Sequence, residues 1–396
     1  MPNISLRGSQ MPSSPIRKLA PLANAAKSQG VKVYHLNIGQ PDLPTPQKAL
    51  DALKTIDRKT LEYSPSEGYP GLRNKLAAYY KKYDTDVKAD EIIVTCGGSE
   101  AILLGFLSCL DPEDEVIMVE PGYANYISFA KTAHLKVKTV TARIEDGFML
   151  PPVEAFRKAI TPRTKAILLC NPSNPTGYVY TAEELFQIKE IVLKHNLFLF
   201  SDEVYREFVY NGKPYLSALS LGIPDHVVMI DSVSKRYSEC GVRIGMLVTH
   251  NREVHDTVMK FCQARLSPPL LGQIVAEASI EGTEDYAREC FDEYKARRDF
   301  FIKGLNEIPG VHSPMPEGAF YTVASLPVED AEDFCKWLLS DFRLNGETVM
   351  MAPAAGFYST PGLGKNQVRM AYVLQKEDLA KSLDILRAAL EAYNKR

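Results

Sequence analysis

From about residue 90 the chain alternates short apolar runs with amphipathic segments. The runs "EIIVTC", "EVIMVE", "KVKTV", "AILLC", "LFLFS", "VVMID" and "RIGMLVTH" have the length and β-branched enrichment of strands. Most are apolar at successive positions, and their alternation with amphipathic segments predicts a mainly parallel sheet buried on both faces by crossover helices. Between them, "SEAILLGFLSCL" and "TAEELFQIKEIVLKHN" carry helical periodicity, the second opening on a Thr cap with Glu three residues later. The stretch "GTEDYARECFDEYKARRDFFIKGLNEIPG" predicts one long helix stopped by Pro309 and Gly310, after which the pattern becomes α+β. That helix bridges to a smaller domain, giving an N-terminal arm over 1–47 that also contributes to the small domain, a large domain over 48–283 and a small C-terminal domain over 284–396. The Pro-rich stretch 41–46 is a turn into the large domain.

Composition narrows the picture. A chain of 396 residues, 45% hydrophobic and 24% charged, is long enough for a large core and a second domain. The formal net charge of −3 and the lack of a basic block argue against a nucleic-acid surface, which needs clustered Lys and Arg. No apolar stretch reaches membrane-spanning length and the N-terminus lacks a secretory pattern, so a cytoplasmic protein is expected. Seven widely spaced cysteines, without a CxxC pair to hold zinc, are expected to be reduced core residues, and no metal site is expected.

Ligands of open α/β sheets bind beyond the carboxyl ends of the strands, and four runs here end in polar sets. "EIIVTC" is followed by "GGSE" and a helix, an arrangement suited to receiving a phosphate on backbone N–H groups. "AILLC" ends in "NPSNPTG", "LFLF" in "SDEVY", and "VVMID" in "SVSK". A carboxylate, a tyrosine, an asparagine, a lysine and an anion cradle therefore converge on one rim. Each alone is weak: a GGS turn, a solvated lysine or a turn-forming asparagine is common, and the joint occurrence in this order is what carries information.

The set resembles the pyridoxal-phosphate-dependent aminotransferases of the aspartate aminotransferase fold type, from "NIGQPDLPTP" to "VRMAYV". The resemblance implies the fold type I architecture, with a seven-stranded, mainly parallel sheet between helices and a smaller α+β domain. It also implies pyridoxal 5′-phosphate as cofactor. Lys235 then forms the Schiff base with the cofactor aldehyde, helped by desolvation or nearby cations that lower its pKa. Asp202 keeps the pyridine nitrogen protonated, and Tyr205 and Asn174 bond the ring 3′ oxygen. Tyr123, in "EPGYANY", matches the aromatic that stacks on the ring, a tryptophan in the best-known members. Gly98, Ser99, Ser232 and Arg243 hold the phosphate, with Ser234 just outside, and Tyr63 reaches the phosphate of a neighbouring subunit, so a homodimer with shared active sites is implied. Arg369 binds the substrate carboxylate bidentately, joined by the Gly39 backbone N–H and by Tyr123 and Asn174, while "SPIRKLAPLA" matches a mobile segment that closes over substrate.

The implied reaction is ping-pong transfer of an amino group from an L-amino acid, aspartate favoured, to 2-oxoglutarate, with Lys235 as covalent anchor and general acid–base. Alanine- or aromatic-type transamination, or a carbon–sulfur β-lyase or aminocyclopropanecarboxylate-synthase-like reaction on the same cofactor, remain open. A non-catalytic ligand-sensing domain is disfavoured because no DNA-binding module fits in the short N-terminus, and no G-x-G-x-x-G supports a dinucleotide. Some bacterial aspartate aminotransferases read the second carboxylate with a lysine in the glycine-rich turn, where this chain has Ser99; Arg265, in "CQARLSPPLLG", is the replacement expected from a different branch of the family, which places its carboxylate-reading arginine on the partner subunit just before a similar Pro-Pro segment.

Overall fold

The computed structural model describes residues 2–396. Twelve strands form three sheets. The large sheet contains β2 (Ile92–Thr95), β3 (Glu115–Glu120), β4 (Lys136–Thr141), β5 (Thr164–Cys170), β6 (Phe198–Asp202), β7 (Val227–Ser232) and β8 (Gly245–Val248) in the order β2-β8-β7-β6-β5-β3-β4. These are the seven apolar runs. All neighbours are parallel except β8, which runs antiparallel to both β2 and β7.

The reason for the unbroken apolar runs is visible in the packing. Ala166, Leu168 and Cys170 of β5 join one core cluster with Phe200 and Ile230, while Ile167 and Leu169 join a second with Leu199 and Met229. Successive side chains point to opposite faces of a strand, so a sheet with a core on each face needs apolar residues at every position. Helix Gly98–Cys109 packs on one of those faces. Helix Ala182–His195 is capped by Thr181, whose hydroxyl accepts from the Glu184 N–H while the Glu184 carboxylate accepts from the Thr181 N–H. The long helix spans Glu284–Asn306 and ends three residues before Pro309.

The remaining strands are β1 (Lys32–His35), β9 (Tyr321–Ser325), β10 (Glu347–Met350), β11 (Ala352–Pro353) and β12 (Gln367–Ala371). β1 pairs in parallel with β10, so the N-terminal segment is stitched to the C-terminal third of the chain. β11, β12 and β9 form an antiparallel sheet whose middle strand carries Arg369. Among the described residues no helix is long and apolar enough to cross a membrane. The seven cysteines are free; four are buried, and Cys96, Cys109 and Cys240 are half-buried.

Candidate active site

A cavity of about 680 Å³ opens at the carboxyl ends of the central strands. Its wall includes Gly39, Gly98, Ser99, Tyr123, Asn174, Asp202, Tyr205, Ser232, Lys235, Arg243 and Arg369, so eleven of the thirteen residues singled out from the sequence meet in one place. The strands bring them there: Asp202 ends β6, Ser232 ends β7 with Lys235 on the turn of helix behind it, and Asn174 follows β5.

Asp202 is buried and its carboxyl is pushed up to about 6, chiefly by burial, while the Tyr126 hydroxyl works in the opposite direction. That hydroxyl donates to Asp202 Oδ2 at 2.5 Å. The carboxylate is thus held for a cationic partner, with one oxygen fixed from behind. Lys235 Nζ donates to the Gly39 carbonyl at 2.9 Å and lies 3.8 Å from Cys240 Sγ. The expectation of a lowered lysine pKa is corrected here. Burial works to lower it, but the neighbouring Tyr321, Cys240 and Tyr123 outweigh burial and the net direction is upward, so in the chain alone the amine is protonated at neutral pH.

One end of the cavity is built to take an anion. Gly98 and Ser99 open helix Gly98–Cys109, where the first N–H groups have no intrahelical acceptor. Gly97 sits at φ +77°, and a Cβ on Gly97 would overlap the Arg243 guanidinium; a Cβ on Gly245 would overlap the Gly97–Gly98 backbone. Glycine at both positions lets the turn lie directly on β8. Arg243 donates to the carbonyls of Cys240 at 2.9 Å and Cys96 at 3.4 Å, and has no carboxylate partner among the described residues. Ser232 Oγ donates within reach of both Ser234 Oγ, at 2.8 Å, and the Ile244 carbonyl, at 2.9 Å.

The opposite wall is built to take a carboxylate. Arg369 is fully buried, donates to the Asn37 carbonyl and, at 3.3 Å, to Asn174 Oδ1, and leaves its Nε without a partner. Burial lowers its pKa from the ordinary arginine value, as expected for a cation kept without a counter-ion. With Oδ1 engaged, Asn174 keeps its amide N–H₂ for a ligand. Gly39 lies against Tyr321, and any Cβ there would overlap that ring.

Among the wall residues not singled out from the sequence, four bear on the chemistry. Tyr126 braces Asp202; its only sequence signal is its place three residues after Tyr123, one turn along the start of a helix. Tyr321 shares a 3.0 Å hydroxyl contact with Tyr205 and donates to the Gly39 carbonyl at 3.3 Å. Cys240 and Arg17 also line the cavity. Two singled-out residues lie elsewhere. Tyr63 is 75% exposed, away from the cavity of its own chain. Arg265 is not free to read a substrate carboxylate, because its guanidinium pairs with Glu100 at 2.9 Å and donates to the Ser66 carbonyl at 2.7 Å.

The donor set fits pyridoxal phosphate: an anion cradle, a lysine, a buried carboxylate and a half-buried aromatic, Tyr123, line one cavity. Comparison with known proteins gives the family. The family model for aminotransferase class I and II matches residues 31–386. A probable aspartate aminotransferase of Methanocaldococcus jannaschii is 32% identical, covering 98% of this chain and 100% of its own length. The Bacillus subtilis aspartate aminotransferase is 33% identical over 93% of this chain and 92% of its own. Among solved structures, an alanine aminotransferase from Pyrococcus furiosus superposes with a TM-score of 0.90 at 30% identity, covering 98% of this chain and 100% of that one.

Proposed function

The chain belongs to the class I and II aminotransferases and is a transaminase, and on that premise we propose that it moves the amino group of an L-amino acid, aspartate foremost, to 2-oxoglutarate in two half-reactions. The observation that carries the reading is Arg369: a buried guanidinium that, among the described residues, has no carboxylate partner and leaves Nε unoccupied, on the wall of the cavity that holds Lys235. A planar fork of this kind matches a substrate carboxylate in bidentate geometry.

In this reading Lys235 would hold the cofactor's aldehyde carbon, Asp202 its ring nitrogen, Asn174 and Tyr205 the 3′ oxygen, and Gly98, Ser99, Ser232 and Arg243 its phosphate, with Tyr123 lining the wall beside the ring. When bound, pyridoxal phosphate supplies an electron sink for the substrate Cα. Arg369 and the Gly39 backbone fix the α-carboxylate, which orients Cα toward Lys235 Nζ. The lysine then carries the proton away from Cα and back, so the same amine anchors and titrates. The Tyr205 and Tyr321 hydroxyls, 3.0 Å apart, keep the 3′ oxygen's surroundings ordered.

A homodimer belongs to the same proposal. Helix Gln47–Lys54 packs against helix Leu270–Ile280, and the two leave Leu50, Leu53 and Leu271 exposed, with Leu61, Tyr63 and Leu266 also exposed. A second copy covering that apolar surface would bring Tyr63 to its partner's phosphate site.

Steady-state kinetics of the reconstituted enzyme test the reading. Aspartate with 2-oxoglutarate should give oxaloacetate and glutamate with parallel double-reciprocal plots. Release of pyruvate and ammonia from β-substituted donors without an oxo-acid acceptor, and no transamination, would establish the lyase instead.

A further inference from the structure

Four cations line the cavity against a single carboxylate, Asp202. Three have a task under the transaminase reading, on which this inference rests: Lys235 anchors the cofactor, Arg243 faces its phosphate and Arg369 takes the substrate α-carboxylate. The fourth is Arg17. We propose that Arg17 reads the second carboxylate of a dicarboxylic substrate, and so makes aspartate, glutamate and 2-oxoglutarate the preferred partners of this enzyme.

The N-terminal segment is fixed across the mouth on both sides of Arg17. Pro15 packs on Gly356 closely enough that a Cβ there would overlap it. Ile16 packs against the small cluster of Ala124, Ala352 and Phe357, and its carbonyl accepts from Asn37 Nδ2 at 2.9 Å. The Asn37 carbonyl in turn accepts from Arg369. Arg17 therefore follows directly on a residue tied, through one asparagine, to the α-carboxylate site. Its neighbour Lys18 is paired with Glu332, whereas no carboxylate pairs with Arg17 among the described residues.

The remaining candidates are excluded by their chemistry or their engagements. Ser99, in the glycine-rich turn, is neutral. Arg265 is held by Glu100 and by the Ser66 carbonyl. Gln40, Asn125 and Ser14 on the wall can donate hydrogen bonds but bring no charge. A guanidinium at the mouth also suits two donors of different length, because its flexible stem lets one arginine follow the distal carboxylate of aspartate or, one methylene further on, of glutamate.

The test uses the holoenzyme and the variants Arg17→Gln and Arg17→Lys. Arg17→Gln should lower kcat/KM for aspartate and for glutamate by roughly 10- to 100-fold, the value of one charged hydrogen-bonding partner, and leave alanine within about threefold. Calorimetric binding of succinate, a non-reacting dicarboxylate, should weaken by a similar factor while binding of propionate is unchanged. Arg17→Lys should restore part of both. Losses equal for dicarboxylic and neutral ligands, or absent for both, overturn the inference while the transaminase reading stands. A wild-type enzyme without transamination of any donor overturns the transaminase reading itself.

Discussion

Replacing Asp202 by asparagine should stabilise the protein freed of cofactor while crippling the enzyme. The Asp202 carboxyl is fully buried and pushed up to about 6 from an ordinary 3.8, burial being the main cause, with Asp231 and Glu203 adding repulsion. Each pKa unit corresponds to about 1.4 kcal/mol, so holding the carboxylate ionised in the fold costs up to about 3 kcal/mol at pH values above 6. The sign follows from proton counting. Between pH 4 and 6 the folded chain keeps a proton that the unfolded chain has lost, so stability falls as pH rises through that window and stays low above it. An asparagine has the same shape, carries no charge, and can still accept the Tyr126 hydroxyl through its amide oxygen. Asp202→Asn should therefore unfold in urea at pH 7.5 with a free energy up to about 3 kcal/mol above wild type, the gap closing toward pH 4. Turnover should fall more than tenfold, beyond about 1.4 kcal/mol, because a neutral amide does not keep the ring nitrogen protonated. A variant less stable than wild type at pH 7.5, or a gap that ignores pH, would refute the argument that Asp202 is a strained charge awaiting a cationic partner.

Lys235→Ala should lose turnover while circular dichroism and equilibrium dialysis show the fold and much of the cofactor affinity intact; near-normal transamination in that variant would remove Lys235 from the mechanism. Tyr63→Phe should weaken cofactor binding by roughly 1.5 to 3 kcal/mol, and mixing it with Lys235→Ala subunits should regenerate one site with both residues present. A monomer fully active at high dilution contradicts the shared site. Tyr126→Phe removes the 2.5 Å hydroxyl bond that opposes the upward shift of Asp202, so in the cofactor-free protein the pH window over which the Asp202 charge costs stability should move upward; an unmoved window would make Tyr126 a packing residue only.

What the sequence made legible was whatever lies contiguously. The inner strands of the large sheet stand out because both faces are buried, which forces apolar residues at successive positions such as Ala166 to Cys170, whereas the edge strand β4 alternates Val137 and Val140 with lysine and threonine. Asp202, Asn174 and Lys235 follow such runs directly and share the sheet's carboxyl edge, so their convergence could be read along the chain. Of the residues that were missed, Tyr126 and Cys240 lie close in sequence to singled-out ones, while Tyr321 comes to the cavity from a distance. Tyr321 meets Tyr205 across 116 positions and from another sheet, and reads in the sequence as one more core aromatic beside Phe320. The pairing of β1 with β10 joins segments more than 300 residues apart, a register no local pattern encodes. The upward direction of the Lys235 pKa owes to Tyr321, Cys240 and Tyr123, only one of which lies near it in sequence.

Arg265 shows why a cation's residue type and neighbourhood do not fix its task. Glu100 stands in the first turn of helix Gly98–Cys109, where a carboxylate also complements the helix dipole. Its Oε2 accepts both the Cys96 N–H at 2.6 Å and the Arg265 guanidinium at 2.9 Å. Arg265 extends the same chain of contacts to the Ser66 carbonyl, and Ser66 Oγ returns a bond to the Leu266 carbonyl at 2.7 Å. The pair thus braces the glycine turn that presents Gly98 and Ser99, and ties it to the segment bearing Tyr63. An arginine in that position shapes the anion cradle rather than reading substrate. With a neutral serine in the turn and Arg265 locked behind it, a cation for the distal carboxylate has to enter from the mouth, which is where the N-terminal segment sets Arg17.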